Sequence, residues 1–506
     1  DANTTGNYNN AFGNNALGSN TTANYNSAFG ENALALNTTG TQNVAVGSNA
    51  LDANTTASFN TAIGHTAMGA TNTGSGNVAV GAYAMEANTT GESCVAIGVN
   101  ALEDNTTASN NTAIGRFALR VNTTGIQNTA LGSQALDANT TGSNGVAIGF
   151  HALSGNTTGG NNVGIGYFAL VNNNANNNVA IGYNALADNT SGEGNTAVGL
   201  NALGQNTTSG ANVAVGRNAL LSSTTGTNLV AVGAYALDAN TTASHNTAVG
   251  YNALTANTTG EFNTGIGNSS GQKITTGAQN TGTGYETLKE ATTATSNSGY
   301  GSQSLKSLTT GSNNTAAGVK SLVLVTTGGG HTACGMQALH NATTGTNNSA
   351  MGVNALYDMT TGSNNIGIGV SAGRSSSPSG TITTGSNQIC IGNNSHTDAF
   401  IKIAFTVTSD ERDKTDIQDI TTGLDFVNQL KPKSFWFKKD RDTDVKHGDK
   451  RLGFIAQDIL ALEGSDPVII DSKDPENLKY KGEHLVPILV NAIKELSAEV
   501  NALKAA

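Results

Sequence analysis

The 506-residue chain has little of what usually fixes a fold. Its three cysteines, Cys94, Cys334 and Cys390, stand too far apart to read as a disulfide framework. Each falls at or beside a small or apolar position, so they are expected to be inert, partly buried thiols. Charge is scarce and uneven. Residues 1–400 hold 8 Lys/Arg and 16 Asp/Glu, whereas residues 401–506 hold 16 and 19, together with the only tryptophan, Trp436. That shift places a domain boundary near residue 400. A net charge of −11 with no basic stripe excludes nucleic acid as an expected partner. No apolar run approaches the length of a membrane span and no signal peptide is visible, so membrane insertion is not expected. The eight histidines show no metal-ligand spacing, and neither a metal nor a cofactor is anticipated. The chain also lacks an initiator Met. Its first residues, Asp1 to Gly6, recur as Asp137 to Gly142, so an anchoring region is expected to precede it.

What the chain has in abundance is a repeat. The glycine closing an Asn-x-Ala-apolar-Gly segment recurs from Gly13, Gly30 and Gly47 through to Gly369. Every step is 17 residues except one of 16, between Gly166 and Gly182, which gives 22 coils. Fixed glycine and asparagine break helices, and no 3.6-residue period survives. The expected coil is two short strands joined by turns: Asn43-Val44-Ala45-Val46 and Asn49-Ala50-Leu51, with Gly47 and Asn54-Thr55-Thr56 as corners. Alternation puts Val44 and Val46 on one face and Ala45 on the other. A Leu follows the second Ala in 18 of the 22 coils and a Met, Met68 or Met85, in two more; Gly271 and Gly373 are the exceptions. Stacking would align these residues into an apolar ladder and the asparagines into coil-to-coil amide ladders. The Asn-Thr-Thr triplets match a glycosylation acceptor, but their fixed phase marks them as corners. From residue 274 the Asn of that triplet gives way to Ile274, Ala291, Leu308, Val325, Ala342 and Met359, so the later coils should bury more apolar surface there. Asn60 to Gly64 and Asn111 to Gly115 resemble the coils of trimeric autotransporter adhesin heads, which form parallel β-rolls.

The last hundred residues are of another kind. Ser409-Asp410-Glu411-Arg412-Asp413-Lys414, the aromatic run Phe435-Trp436-Phe437 and Arg451-Leu452-Gly453-Phe454-Ile455-Ala456-Gln457-Asp458 resemble the peptidase S74 family. Leu424, Leu430, Pro467-Val468, Tyr480 and the terminal helix extend the resemblance to residue 506. These are the intramolecular chaperones that end phage endosialidases and tail spikes. The resemblance implies a domain that trimerises, templates the preceding fibre and is released by autoproteolysis between Thr408 and Ser409. Ser409 would be the nucleophile and Lys414 the general base, a role that requires desolvation of its ammonium. Independently, Val486, Leu489, Ile493, Leu496, Val500 and Leu503 alternate three and four apart, a coiled-coil seam. The number of strands in that coil, three, is implied by the resemblance.

The reading is therefore of a mostly β protein with three segments: a 17-residue-repeat β-solenoid (β-roll) shaft over residues 1–373, a terminal coil and connector over 374–408, and an α+β chaperone domain over 409–506 ending in a coiled-coil helix. Such a shaft has a register problem, because a slip of 17 residues preserves almost every contact. A domain that trimerises first would set the register, and cleavage afterwards would make assembly kinetically irreversible. The expected function is a homotrimeric tail fibre or spike component of a virion that binds a host receptor, glycan or protein. A bacterial surface adhesin with the same self-cleaving chaperone is the alternative. No paired carboxylates stand out that would suggest cleavage of external glycans.

Overall fold

The computed structural model describes residues 3–400, 402, 408–438 and 443–505. Contacts divide the chain into two units, Asp1–Asn348 and Ser349–Ala506.

The first unit is a parallel β-solenoid. Each coil contributes one three-residue strand, from β1 (Asn10–Phe12) to β20 (Thr332–Cys334), and each strand pairs in parallel with the next. Register is strict: Val44, Ala45 and Val46 face Thr61, Ala62 and Ile63. The central Ala is buried while the flanking β-branched residues point outward, because only a small side chain fits between the strand and the opposite wall of so thin a coil.

The second expected strand is not one. Asn49, Ala50 and Leu51 form a turn in which Asn49 and Leu51 have φ of 57° and 51°. The same left-handed Leu or Met recurs along the solenoid. A left-handed non-glycine residue costs about 1–2 kcal/mol, but the fully buried Leu side chain returns roughly 1.5–3 kcal/mol. Its N–H also bonds the next coil, Leu51 to the Ala67 oxygen at 3.1 Å. Coil-to-coil pairing thus continues through a backbone that is not extended.

Two buried amide ladders line the interior. In the corner ladder the Asn54 amide donates to Asn37 Oδ1 (2.8 Å) and to the Ala57 oxygen (3.2 Å). In the second, Asn43 Oδ1 accepts the Asn60 N–H (3.0 Å), while the Asn43 amide reaches the Ala57 oxygen (2.9 Å). From Asn20 onward the asparagines of the Asn-Thr-Thr triplets are buried, which removes them from a glycosylating enzyme once folded, whereas Asn3 of the first triplet is exposed. The corner ladder turns apolar at Ile274, and Ile274, Ala291, Leu308 and Val325 are all buried.

Volume is conserved across the core. A Cβ on Gly271, where the Leu ladder lapses, would meet Leu254 at 2.7 Å and Ile274 at 3.0 Å. Strand centres Gly282 and Gly299 face hydroxyl side chains in place of Ala: a Cβ would lie 2.7 Å from Ser270 Oγ and 2.6 Å from Thr287 Cγ2. Where the coil loses one residue, strand register holds, with Val163 opposite Val179. The deletion is absorbed at the corner, where Asn174 Oδ1 accepts from both the backbone and side chain of Thr157. Cys94 occupies an Asn position in the second ladder; burial pushes its thiol up. Cys390 is also buried, whereas Cys334 is exposed, and all three are free.

The second unit opens with three more parallel strands, β21 (Ser349–Met351), β22 (Ile366–Ile368) and β23 (Ile389–Ile391). The last pairing has an offset of 23 residues, so the segment after Gly373 inserts into a coil without breaking the ladder. The α+β part follows: α1 (Leu424–Gln429), the antiparallel pair β24 (Lys433–Lys438) and β25 (Lys446–Gly453), α2 (Ala456–Glu463), the short pair β26 (Ile470–Asp471) and β27 (Lys479–Tyr480), and α3 (Leu485–Ala505). Its core is small: Ile459, Ile469, Ile470, Leu485 and Ile488, with Phe426, Val427, Leu430 and Phe454 against it.

Candidate functional site

The site is built by a single turn. Residues Glu411–Asp413 form a 3-10 helix, and Asp410 caps it by accepting the Arg412 N–H at 2.9 Å. The Arg412 side chain then closes on Asp410 with two bonds, at 3.0 and 2.6 Å, a forked pairing that fixes the orientation of both groups. The Arg412 guanidinium lowers the Asp410 carboxyl below its ordinary range. This turn brings Lys414 back onto Ser409. Lys414 Nζ lies 2.7 Å from Ser409 Oγ and 3.1 Å from the Ser409 carbonyl oxygen.

The Ser409 hydroxyl and the Lys414 amine are thus within direct hydrogen-bond reach, the first geometric requirement for proton transfer between them. Thr408, Ser409 and Lys414 are all exposed to solvent. The second requirement, desolvation of the ammonium, is not met within the single chain. Residues 403–407 of the expected connector lie outside the described residues. The sequence pointed to Ser409 and Lys414 by resemblance. It gave no reason for Asp410 and Arg412 beyond the motif; their spacing of two, bracketing a capped turn, was the available signal.

The rest of the domain ties this segment down. Glu495 of α3 accepts the Leu424 N–H at 2.6 Å, capping α1, and Asn491 donates to the Thr422 oxygen at 3.1 Å. A Cβ on Gly423 would meet the Glu495 carboxylate, so a larger residue there would displace the side chain that caps α1. On α3 itself, Leu485, Ile488 and Ala492 face the core. The seam residues face solvent: Ile493 is 66 % exposed and Leu496 47 %. Trp436 of β24 is flanked by Lys446 and Lys450 of β25, 4.1 and 5.5 Å from its ring.

Residues 409–464 match the Peptidase_S74 family, described as chaperone of endosialidase. Pro467, Val468, Tyr480 and α3 lie beyond the matched segment. The chain therefore carries a Peptidase_S74-type chaperone domain behind a long parallel β-solenoid, an arrangement consistent with fibre and tailspike proteins in general. No curated protein matches the chain.

Proposed function

We propose that the chain is a homotrimeric fibre of a virion whose C-terminal domain drives assembly and then releases itself by cutting between Thr408 and Ser409. The observation that carries this reading is the 2.7 Å approach of Lys414 Nζ to Ser409 Oγ within a family-matched segment. Neutral Lys414 takes the hydroxyl proton as Ser409 Oγ attacks the Thr408 carbonyl carbon. The Thr408–Ser409 C–N bond breaks, the Ser409 nitrogen takes up the proton, and water hydrolyses the resulting ester. Substrate and catalyst share one chain, so positioning replaces substrate binding and one turnover suffices. In this reading residues 1–373 are the shaft, 374–408 the connector and 409–506 the chaperone.

Two surfaces support self-association. The α3 seam presents Val486, Leu489, Ile493, Leu496, Val500 and Leu503 to solvent. Along the solenoid, none of the strands β1–β23 carries a charged side chain at either outward position. Val46, Ile63 and Ile97 there remain more than a third exposed, an apolar stripe of the kind that marks a protein interface. Three copies would cover both surfaces and desolvate Lys414, coupling cleavage to correct assembly. The surface of the shaft distal to its anchor would then meet a host-surface receptor. A bacterial surface adhesin built the same way is the second reading, and an anchoring region that inserts into or crosses a membrane would favour it.

The test is a denaturing gel of freshly expressed protein. Wild type should yield two fragments with Ser409 at the new N-terminus, while Ser409→Ala and Lys414→Ala stay full length. Arg412→Ala keeps both reacting groups and releases the turn, so it should slow cleavage without abolishing it. A wild type that remains intact while trimeric would refute self-cleavage.

A further inference from the structure

The shaft carries a lateral groove in coils 10 to 13 that the assembly reading does not use. A cavity of about 440 Å³ is lined by Phe168, Val171, Asn184, Asp188, Gln205 and Leu221, with Ala187 and Gly204 as its floor. Its origin is readable in the repeat. Five residues after each ladder glycine the chain usually sets a larger side chain, such as Asp52, Glu86, Glu103, Arg120 or Asp137. In coils 11 and 12 that position holds Ala187 and Gly204, between Val171 and Leu221. Two short side chains in succession between two long ones leave a dent with apolar walls.

Above Val171 stands Phe168, held by its neighbours: its ring lies 4.3 Å from Tyr167 and 5.3 Å from His151. Tyr167 in turn stacks between Phe150 (5.3 Å) and Tyr183 (5.4 Å). The wall is therefore stiff. The polar rim is free: the side chains of Asn184, Asp188 and Gln205 make no hydrogen bond among the described residues, and Asn201 gives its amide one partner, Asn218 Oδ1 at 3.3 Å. Unpaired amides, one carboxylate and a fixed aromatic ring offer hydroxyl-binding groups beside a surface for C–H faces.

We propose that this groove binds a neutral or N-acetylated saccharide of about one or two hexose units. The single charge on the rim is Asp188, so acidic sugars and phosphate-bearing glycans are disfavoured there. This deepens the receptor-binding reading and rests on it, but not on the cleavage chemistry.

The test uses the full chain as assembled on an array holding neutral, N-acetylated, sialylated and phosphorylated oligosaccharides, followed by titration calorimetry of the strongest hits. Neutral or N-acetylated glycans should bind. Phe168→Ala should weaken them about tenfold, the usual scale for removing an aromatic anchor. Ala187→Phe, which fills the floor, should abolish binding. Thr255→Phe, the same repeat position two coils beyond the groove, should change nothing. Equal binding by Ala187→Phe and wild type, or selection of acidic glycans alone, overturns the groove while leaving a receptor role intact. Absence of any saccharide binding by an assembled, cleaved fibre overturns the groove; loss of cleavage on the gel leaves it standing. Circular dichroism of each variant confirms that its solenoid is intact, and Gln205→Ala, an exposed rim change, gives a second reading if Phe168→Ala does not fold.

Discussion

The shaft and the C-terminal domain solve the burial problem in opposite ways. In the shaft each coil is covered by its neighbours, so Ala45, Leu51, Ala62 and Met68 are completely buried and even the asparagine amides are sealed inside with partners. In the C-terminal domain the buried apolar residues are Ile459, Ile469, Ile470, Leu485, Ile488 and Ala492, while Leu452, Val486, Ile493 and Leu503 are more than half exposed. A domain of this size with so small a core is marginal by itself. The shaft is internally satisfied along its axis, whereas the chaperone domain is not satisfied as a single copy. In the assembly proposed above, the chaperone domain is therefore the part that would associate first.

The sharpest way to break this comparison is at the α3 seam. Ile493→Asp with Leu496→Asp places charge where the proposed trimer would bring three copies of α3 together, forfeiting about 1.5–3 kcal/mol of burial per side chain in each chain of that assembly. Light scattering should show the trimer lost, and the gel should show cleavage lost with it. A double variant that still forms trimers and cleaves would mean that the seam faces solvent in the functional protein.

Next in size is a pair of glycines. Gly98 has φ of 137° and a Cβ there would lie 2.5 Å from the Gly115 oxygen of the next coil. Gly464, at the end of α2, has φ of 73° with nothing within 4 Å. Gly98→Ala combines backbone strain with an unavoidable clash and should cost about 3 kcal/mol or more. Gly464→Ala carries strain alone, at a φ of 73° and ψ of −134° that side-chain-bearing residues rarely adopt, about 1–3 kcal/mol. Thermal unfolding of each variant, with hydrogen exchange to localise the damage, measures both. Equal effects would show that the close coil packing is not what holds these glycines.

A smaller effect separates the two halves of the corner ladder. Asn105 accepts the Asn122 amide at 3.1 Å and donates to Asn88 Oδ1 at 2.9 Å. Asn105→Leu leaves Asn88 Oδ1 without that donor inside the core, at about 1–3 kcal/mol. Leu308→Asn would bury an amide between Ala291 and Val325 with no amide above or below, and should cost more because leucine burial is lost as well. Hydrogen-exchange protection of the affected coils reports each cost.

Much of this architecture was legible because the repeat states it 22 times. The 17-residue period, the placing of Ala45 on the face opposite Val44 and Val46, the apolar Leu ladder and the asparagine ladders all follow from residues recurring at fixed phase, while burial shows that the Ala face is the inner one. Two things were not legible. The segment Asn49-Ala50-Leu51 alternates as a strand would, but periodicity cannot reveal that Asn49 and Leu51 take left-handed dihedrals, since leucine rarely does. Compensation between Gly299 and Thr287 was hidden because it links residues through space rather than through the repeat. At the site, motif resemblance supplied Ser409 and Lys414, while the Asp410–Arg412 clasp between them is a side-chain pairing that the motif's spacing does not specify.

The smallest effect concerns the one histidine in the second ladder. His331 is buried where other coils place asparagine; its N–H donates to Asn314 Oδ1 at 3.0 Å, and its Nδ1 accepts the Asn348 N–H at 3.2 Å. Nδ1 thus does the work of an asparagine oxygen and must stay unprotonated. Burial holds the His331 pKa below its ordinary value. The unfolded chain protonates this side chain near pH 6.5 while the folded shaft resists, so below that pH the unfolded state binds more protons and stability falls as pH falls. The loss should approach about 1.4 kcal/mol per pH unit until the lowered folded pKa is reached. His331→Asn restores the ladder residue and should flatten this dependence, leaving stability at pH 7.5 little changed. Hydrogen exchange of the Thr332 amide between pH 7.5 and 5, corrected for intrinsic rates, compares the two. An identical slope in wild type and variant would show that acid weakens the shaft elsewhere, and that a histidine substitutes for asparagine here without a titration cost.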